Sequence, residues 1–115
     1  MTTNADTNPI PSTPTPVIRI SRGTFDPARF PEVHEMTTAT GDYLIPAIKK
    51  LPGLISYYVG ASPDGSAVHV SIWESDEHAH QMDRLKEMIV NARHDGEQAG
   101  VTFTPIVHYP INWTI

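Results

Sequence analysis

Two neighbouring segments in the middle of the chain, both typical of β-strands, restrict the fold more than any other feature. Residues 54–60 and 67–73 are rich in β-branched and aromatic side chains, which favour strands. The connection between them, SPDG at residues 62–65, places Pro and Gly where turns favour them. Because the connection is short, we predict an antiparallel hairpin. The second strand alternates, with Val68, Val70 and Ile72 on one face and His69, Ser71 and Trp73 on the other.

One strand and one helix are predicted before the hairpin. Residues 17–22 have a β-branched core and are followed by a glycine, which is typical of a strand. A helix start is predicted at Asp26-Pro27, with Asp as the N-cap and Pro in the first helical position. Apolar residues then recur at helical spacing to about residue 50. Asp42 and Pro46 interrupt this stripe, so we predict a kinked or two-piece helix in which Asp42 caps the second piece.

A second helix and a final strand are predicted after the hairpin. Ser75 is suited to cap a helix whose apolar spacing continues to Gly96 or Gly100. Residues 101–115 contain the last strand, and their two prolines cannot donate ladder hydrogen bonds, so this strand should be bent or at an edge. The order β-α-β-β-α-β predicts a ferredoxin-like α+β fold, with an antiparallel sheet and both helices on one face.

Such a sheet has a second face that the helices do not cover. The face carrying Val70 would then expose a sizeable apolar patch to water. A second copy packed sheet to sheet is the simplest cover, and a symmetric homodimer is therefore predicted. Residues 112–115 are expected to cross to the partner and pair there.

Length and composition exclude several classes of protein. A chain of 115 residues allows one domain, which we place at residues 16–115, after a Thr- and Pro-rich tail at residues 1–15 that we expect to be disordered. The absence of cysteine excludes disulfide scaffolds and thiolate sites. A net charge of −5 without a basic run argues against nucleic acid and anionic membranes as partners. Without a long apolar stretch or a secretory signal, a cytoplasmic location is expected.

Three short motifs resemble a known family. They are LPGL at residues 51–54, VSIWES at residues 70–75 and DEHA at residues 76–79. With the first strand and the helix that follows it, they resemble the antibiotic biosynthesis monooxygenase family, a branch of the dimeric α/β-barrel superfamily, over residues 17–107. The resemblance implies a ferredoxin-like protomer, a dimer whose sheets form a barrel, and a pocket between sheet and helices. Its members include cofactor-independent quinol or anthrone oxygenases, haem-degrading enzymes, lactone isomerases and proteins without known activity.

This resemblance leaves three functions open. The first is a cofactor-independent monooxygenase for a small cyclic phenolic or quinol substrate, whose anion reduces dioxygen without a cofactor. The second is a non-catalytic small-ligand-binding or regulatory dimer. The third is haem binding or degradation. Haem-degrading members place an Asn on the first strand, which residues 17–22 lack, although Trp73 matches their Trp and His94 lies near their haem-ligating His.

Histidine is the side chain best suited to proton transfer near neutral pH, and the chain has six. His34 and His78 border the buried stripes of the two predicted helices, whereas His69 shares a strand face with Trp73. If that face points toward the helices, these four residues surround one pocket. His69, His34 and Trp73 are the predicted catalytic residues, with His69 or His34 as the base and Trp73 as a wall.

Phenolic hydroxyls would complete this pocket. Tyr43 lies on the first predicted helix, and either Tyr57 or Tyr58 on the second strand could face inward. Tyr43, Tyr58 and His78 are the predicted substrate-binding residues. Each histidine also has a purely structural interpretation, since a histidine in a small core often only hydrogen-bonds a backbone carbonyl. Trp73 could equally serve core packing alone.

Two further interpretations concern charged and metal-binding groups. Arg19 or Arg22 could meet an anionic substrate, although a solvated strand edge is the simpler interpretation. No metal site is predicted, because His78 and His80 are two residues apart and do not share a helix face.

Overall fold

A computed structural model of the chain describes residues 14–115, which form five strands and three α-helices. In chain order these are β1 (Val17–Thr24), α1 (Phe30–Ile48), β2 (Leu54–Ser62), β3 (Ser66–Trp73), α2 (Asp76–Ala79), α3 (Lys86–Gln98), β4 (Thr102–Phe103) and β5 (Val107–Pro110). Short 3-10 segments precede α1 at Pro27–Arg29 and join α2 to α3 at His80–Arg84.

The strands form one antiparallel sheet in the order β2-β3-β1, and both β4 and β5 pair with the remaining edge of β1. The predicted hairpin and the ferredoxin-like α+β fold are confirmed. The break between β4 and β5 includes Pro105, as expected for a final strand that is bent and at an edge.

The core lies between the sheet and the helices and consists of two separate groups of buried apolar side chains. The Trp73 cluster comprises Val17, Leu44, Ile48, Trp73, Ala79 and Met82. The Val33 cluster comprises Phe25, Val33, Ala99 and Val101. Because Trp73 and Ser71 are buried on this side, the predicted alternation of β3 is confirmed and His69 shares their face.

The opposite face of the sheet is apolar. Register pairs Val70 with both Ile20 and Tyr58, and Ile72 with Ile18, which places all five on this face. These side chains are exposed or only partly buried, and Tyr58 is 64% exposed.

The first helix is continuous, so the two-piece alternative of its prediction is wrong, whereas a kink at Pro46 stays a prediction. Asp26 does cap the first turn, since its carboxylate accepts a hydrogen bond from the Ala28 amide at 2.9 Å. From Phe30 onward, however, α1 continues through both Asp42 and Pro46. Burial of one continuous apolar stripe against the sheet therefore outweighs the backbone hydrogen bond that Pro46 cannot donate.

The second predicted helix is broken rather than continuous. Ser75 caps α2 by accepting a hydrogen bond from the His78 amide at 3.1 Å, as predicted. The chain then tightens into a 3-10 segment and leaves helical geometry at Leu85. The buried Gln81 amide donates to the carbonyls of His78 and Pro52, at 2.8 and 2.7 Å. The Gln81 side chain therefore occupies the His78 carbonyl, which in a regular α-helix would accept a hydrogen bond from a backbone amide.

The predicted tail at residues 1–15 falls mainly on residues 1–13, which lie outside the described residues. Within residues 14–115, none of the helices has the length and apolar character required to cross a membrane.

Candidate functional site

A layer of polar side chains separates the two apolar clusters of the core. On β1, buried Val17 is followed on the same face by Arg19, and on β3 buried Trp73 is preceded on the same face by Ser71. We call this group the polar layer; its members are Arg19, Thr40, Tyr57, His69 and Ser71. Arg19, Thr40 and Ser71 are all at most 5% exposed. Buried polar side chains cost free energy unless they are satisfied, so this layer needs a specific explanation.

Tyr57 and His69 form the centre of the polar layer. The Tyr57 Oη and His69 Nδ1 atoms lie 2.9 Å apart, and the two rings meet edge to face at a centroid distance of 5.8 Å. The direction of this hydrogen bond depends on which imidazole nitrogen carries the proton. Because β2 and β3 hold the two residues rigidly, the pair can transfer a proton between oxygen and nitrogen over one fixed contact.

Burial and Arg19 both determine the charge state of this pair. Burial, reinforced by the nearby Arg19 guanidinium, lowers the pKa of His69 from its ordinary 6.5 to about 4. Burial likewise raises the pKa of Tyr57, while the Arg19 cation opposes that rise. Both side chains are therefore neutral at neutral pH, and His69 retains one imidazole nitrogen that can accept a proton.

A large cavity opens between α1 and the β2–β3 part of the sheet. Its volume is about 780 Å³, within the usual range for sites that hold small organic molecules. Tyr57 and His69 lie on its sheet side, and His34, Thr37 and Thr40 lie on its helix side. Apolar residues supply much of the remaining wall: Leu44, Ile45, Ile48, Leu54, Val59 and Ala61.

A second, smaller cavity of about 80 Å³ lies directly behind the polar layer. Arg19 and Ser21 line it from β1, and Ile89, Ala92 and Arg93 line it from α3. Five residues border both cavities: Thr37, Thr40, Leu44, Tyr57 and His69. The Tyr57–His69 pair therefore lies at the boundary between the large cavity and this smaller one, which we call the inner recess.

Of the predicted catalytic residues, His69 and His34 line the large cavity, whereas Trp73 does not. His34 is exposed on α1 and stacks against Phe30, with ring centroids 5.6 Å apart. Trp73 is completely buried in the Trp73 cluster, and its Nε1 donates a hydrogen bond to Ser71 Oγ at 2.8 Å. The structure thus places Trp73 in the core instead of on a pocket wall.

None of the three predicted substrate-binding residues lines either cavity. Tyr43 donates its hydroxyl proton to the Asp95 carboxylate at 3.1 Å, which links α1 to α3. Burial and this hydrogen bond raise the pKa of Tyr43 to about 12. His78 packs against the backbone of Gly53, and its Nδ1 lies 2.7 Å from Ser75 Oγ.

Tyr58 lies on the outer face of the sheet, and Tyr57 takes the inward position instead. A register shift between Leu54 and Ser56 explains this difference, because a β-bulge changes which residues of β2 face the helices.

Arg19 is the residue that sequence reasoning misplaced. Its side chain is 4% exposed instead of lying at a solvated edge. The alternation of the strand could have indicated this burial. Arg19 lies two residues after Val17 and therefore shares its inward face. The Nε atom of Arg19 has no hydrogen-bond partner within residues 14–115.

One group of potential metal ligands lies away from the polar layer, where the sequence predicts none. Asp76, His80 and His108 bring their ligand atoms within 4.8 Å of one another, a donor set that suits divalent zinc or similar ions. The Asp76 carboxylate already contacts His108 Nδ1 at 2.7 Å and His80 Nε2 at 3.1 Å. These contacts satisfy the group without a cation and attach β5 to α2.

Comparison with solved structures supports the fold that the resemblance implies. A monooxygenase from the ActVA-Orf6 gene of Streptomyces coelicolor, solved with Nanaomycin D, has a TM-score of 0.65 and 19% identity, covering 88% of this chain and 91% of that one. A variant of SnoaB, a cofactor-independent oxygenase from Streptomyces nogalater, has a TM-score of 0.57 and 18% identity, covering 88% and 97%. A conserved protein from Methanosarcina mazei has a TM-score of 0.62 and 15% identity, covering 85% and 94%.

These similarities establish a shared ferredoxin-like fold, which structures described as antibiotic biosynthesis monooxygenases from Chloroflexus aurantiacus and Deinococcus radiodurans also have. At such low identities the residues that carry chemistry must be assigned from this chain alone. Comparison with protein-family models and with curated protein sequences finds no match.

The depressed pKa of His69 predicts a specific acid sensitivity. In the unfolded chain His69 binds a proton below pH 6.5, whereas the folded protein resists protonation until about pH 4. The free energy of unfolding should therefore decrease as the pH falls through this window. His69 should account for roughly 3 kcal/mol of this decrease. His69→Gln, which cannot take up that proton, should reduce the loss of unfolding free energy between pH 7 and pH 4 in urea titrations.

His94, exposed on α3, provides the matched control for this measurement. His94→Gln should leave the pH dependence of stability as it is in the unmodified chain. An equal pH dependence for His69→Gln and the unmodified chain would contradict the burial and neutrality assigned to His69.

Proposed function

We propose that the protein is a cofactor-independent monooxygenase acting on a small cyclic phenolic or quinol-type substrate in the large cavity. The observation that carries this proposal is the neutral, hydrogen-bonded Tyr57–His69 pair at the boundary of a largely apolar cavity of about 780 Å³. The similar structures described as a monooxygenase and a cofactor-independent oxygenase support it by fold.

Such a reaction requires a base, a largely apolar cavity and a substrate that supplies the electrons. The substrate hydroxyl or acidic carbon gives its proton to the Tyr57 oxygen while the Tyr57 proton moves to His69 Nδ1. The resulting anion transfers one electron to dioxygen, and the substrate radical and superoxide combine to a peroxide anion on a carbon that still bears a hydrogen. The proton held by His69 returns through Tyr57 to this anion and gives the hydroperoxide. Loss of water from that hydroperoxide leaves a carbonyl, so that one oxygen atom enters the product and the other leaves as water.

His34 is suited to a different role at the mouth of the cavity. Its imidazole is exposed to solvent and lies on the helix side of the opening. It can contact the substrate as it enters, but within residues 14–115 it forms no hydrogen bond to the Tyr57–His69 pair. His34→Ala should therefore raise KM more than it lowers kcat.

Oxygen uptake with a panel of anthrones and 1,4-naphthohydroquinones tests this proposal. His69→Ala removes the proton acceptor, and Tyr57→Phe removes the hydroxyl but keeps the ring. Each should lower kcat by about 10²-fold or more, the usual contribution of a positioned general base. The measurement is the rate of dioxygen consumption together with the mass of the product, which gains one oxygen atom from ¹⁸O₂.

His94→Ala, on the exposed surface of α3, is the control and should retain the full rate. Uptake that is the same in the His69→Ala, Tyr57→Phe and control proteins would remove the proposed roles. Absence of uptake with every substrate of the panel would argue against oxygenase activity.

A non-catalytic ligand-binding dimer is the second candidate, and the low pKa of His69 favours it. An imidazole that resists protonation beside Arg19 is a weak base, and the same cavity could hold a ligand without turning it over. This function predicts ligand-induced increases in melting temperature without dioxygen consumption.

Haem binding, the third function that the resemblance leaves open, receives no specific support from the site. His94 is exposed on α3 and lines neither cavity, and the haem-degrading members' first-strand Asn has no counterpart in β1. Titration with haemin distinguishes this function, since axial ligation by histidine would produce a Soret band.

The proposed active form is a homodimer. Its outer sheet face carries apolar side chains that are exposed or only partly buried, including Tyr58, Val70 and Tyr109. Exposed patches of this kind mark interaction surfaces, and a second copy of the same sheet provides a complementary apolar face. Trp113, in the segment after β5, is 76% exposed and would pack against the partner.

Sedimentation velocity at micromolar concentration tests this assembly. Tyr58→Glu places a charge in the proposed interface and should shift the protein toward monomer. Val90→Glu, at an equally exposed position on α3, is the matched control and should leave the dimer intact, since both side chains are 64% exposed. An unmodified chain that sediments as a monomer would contradict the proposal.

A further inference from the structure

Arg19 is a buried cation, and at least one of its hydrogen-bond donors has no partner within residues 14–115. The side chain points from β1 into the polar layer, where it is 4% exposed, and its Nε finds no acceptor within residues 14–115. No carboxylate within those residues lies within 4.0 Å of it. Asp83, whose negative charge acts on Arg19 from a distance, is itself exposed. A buried guanidinium stays protonated, so its charge and its free donor require compensation.

The walls of both cavities carry the same sign of charge. Lys49 lines the large cavity, and Arg19 and Arg93 line the recess, whereas no aspartate or glutamate within residues 14–115 lines either one. This is notable because the whole chain carries thirteen acidic residues against eight basic ones. Because the charged side chains on these walls are basic, the cavities of this acidic protein favour an anionic ligand.

The inner recess gives an anionic group a place beside Arg19. Its volume of about 80 Å³ exceeds the ~30 Å³ share of one water molecule in the liquid, and a carboxylate or similar oxyanion can occupy it. Tyr57 and His69 border both the recess and the large cavity. Arg19 borders the recess alone. Recognition by Arg19 therefore requires that a ligand whose aromatic body lies in the large cavity pass its anionic oxygen between the side chains that border both cavities.

We propose that the protein binds anionic aromatic ligands, and that Arg19 recognises their negatively charged oxygen substituent from the inner recess. The ligand class is an aromatic ring system bearing a carboxylate or an ionised hydroxyl. Arg19 donates hydrogen bonds to the anionic oxygens, and Tyr57 adds a hydroxyl on the other side. This inference rests on the proposed function only in using the same cavity, since binding is independent of turnover.

Isothermal titration calorimetry with matched ligand pairs tests this inference. The first pair is 2-naphthoate and its methyl ester, and the second is 2-hydroxy-1,4-naphthoquinone, ionised at neutral pH, and its methyl ether. The anionic member of at least one pair should bind at least about ten-fold more tightly than its neutral partner, as expected of a charge-assisted hydrogen bond. The pair that shows the larger preference identifies the carboxylate or the ionised hydroxyl as the recognised group.

Substitution of Arg19 assigns the preference to this residue. Arg19→Met should abolish it and raise the melting temperature of the ligand-free protein, because a buried uncompensated charge is removed. Arg19→Lys should retain part of the preference. Arg22, exposed on the same strand, provides the matched control, and Arg22→Met should keep the full preference.

Equal affinity of the unmodified chain for both members of each pair would overturn the inference, as would failure of all four compounds to bind at millimolar concentration. The comparison in the unmodified chain stays decisive even if an Arg19 variant does not fold. A preference that survives Arg19→Met would also overturn it. Anion-selective binding without dioxygen uptake would refute only the proposed oxygenase activity, whereas uptake with neutral quinols and no anion preference would refute only this inference.

Discussion

The burial of a guanidinium beside an imidazole and a phenol is the constraint on which the rest of this structure depends. A domain of this size forms one modest core, and an ionised side chain in that core has a large desolvation cost. Arg19, Tyr57 and His69 divide the apolar interior into the Trp73 and Val33 clusters. His69 remains neutral because it is buried close to the Arg19 cation. The charge state of the site is thus a direct result of where β1 and β3 place these side chains.

Rigid elements hold every member of the polar layer. Arg19, Tyr57 and His69 come from three neighbouring strands, and Thr40 comes from the facing side of α1. Side chains fixed on a sheet keep their separations more accurately than side chains on loops, which is what proton transfer over a single contact requires. The same fold occurs in an oxygenase and in a conserved protein whose description gives no activity. The proposed chemistry of this chain is therefore assigned from the polar layer and its cavity, not from the fold alone.

The spacing of apolar and turn residues along the sequence was sufficient to predict the order of the elements, the hairpin and the inward face of β3. The two-residue period of a strand is a strong signal of this kind. This spacing was insufficient where distant contacts decide the local structure. The break at Leu85 accompanies a hydrogen bond from Gln81 to Pro52, 29 residues away in sequence. The inward position of Tyr57 instead of Tyr58 follows from a bulge near Leu54, which has no clear sequence signature. Arg19 was predictable from the alternation of β1, but its charge suggested a solvated position.

We propose that the polar layer binds a ligand, and nuclear magnetic resonance of the layer itself tests this most directly. With 2-naphthoate added to the ¹⁵N-labelled protein, the Arg19 Nε and His69 ring resonances should shift and saturate together. The Arg22 Nε and His94 ring resonances, which belong to exposed side chains, should remain unchanged. Binding that leaves the Arg19 and His69 resonances unaltered would contradict the account and leave the polar layer with a structural role only.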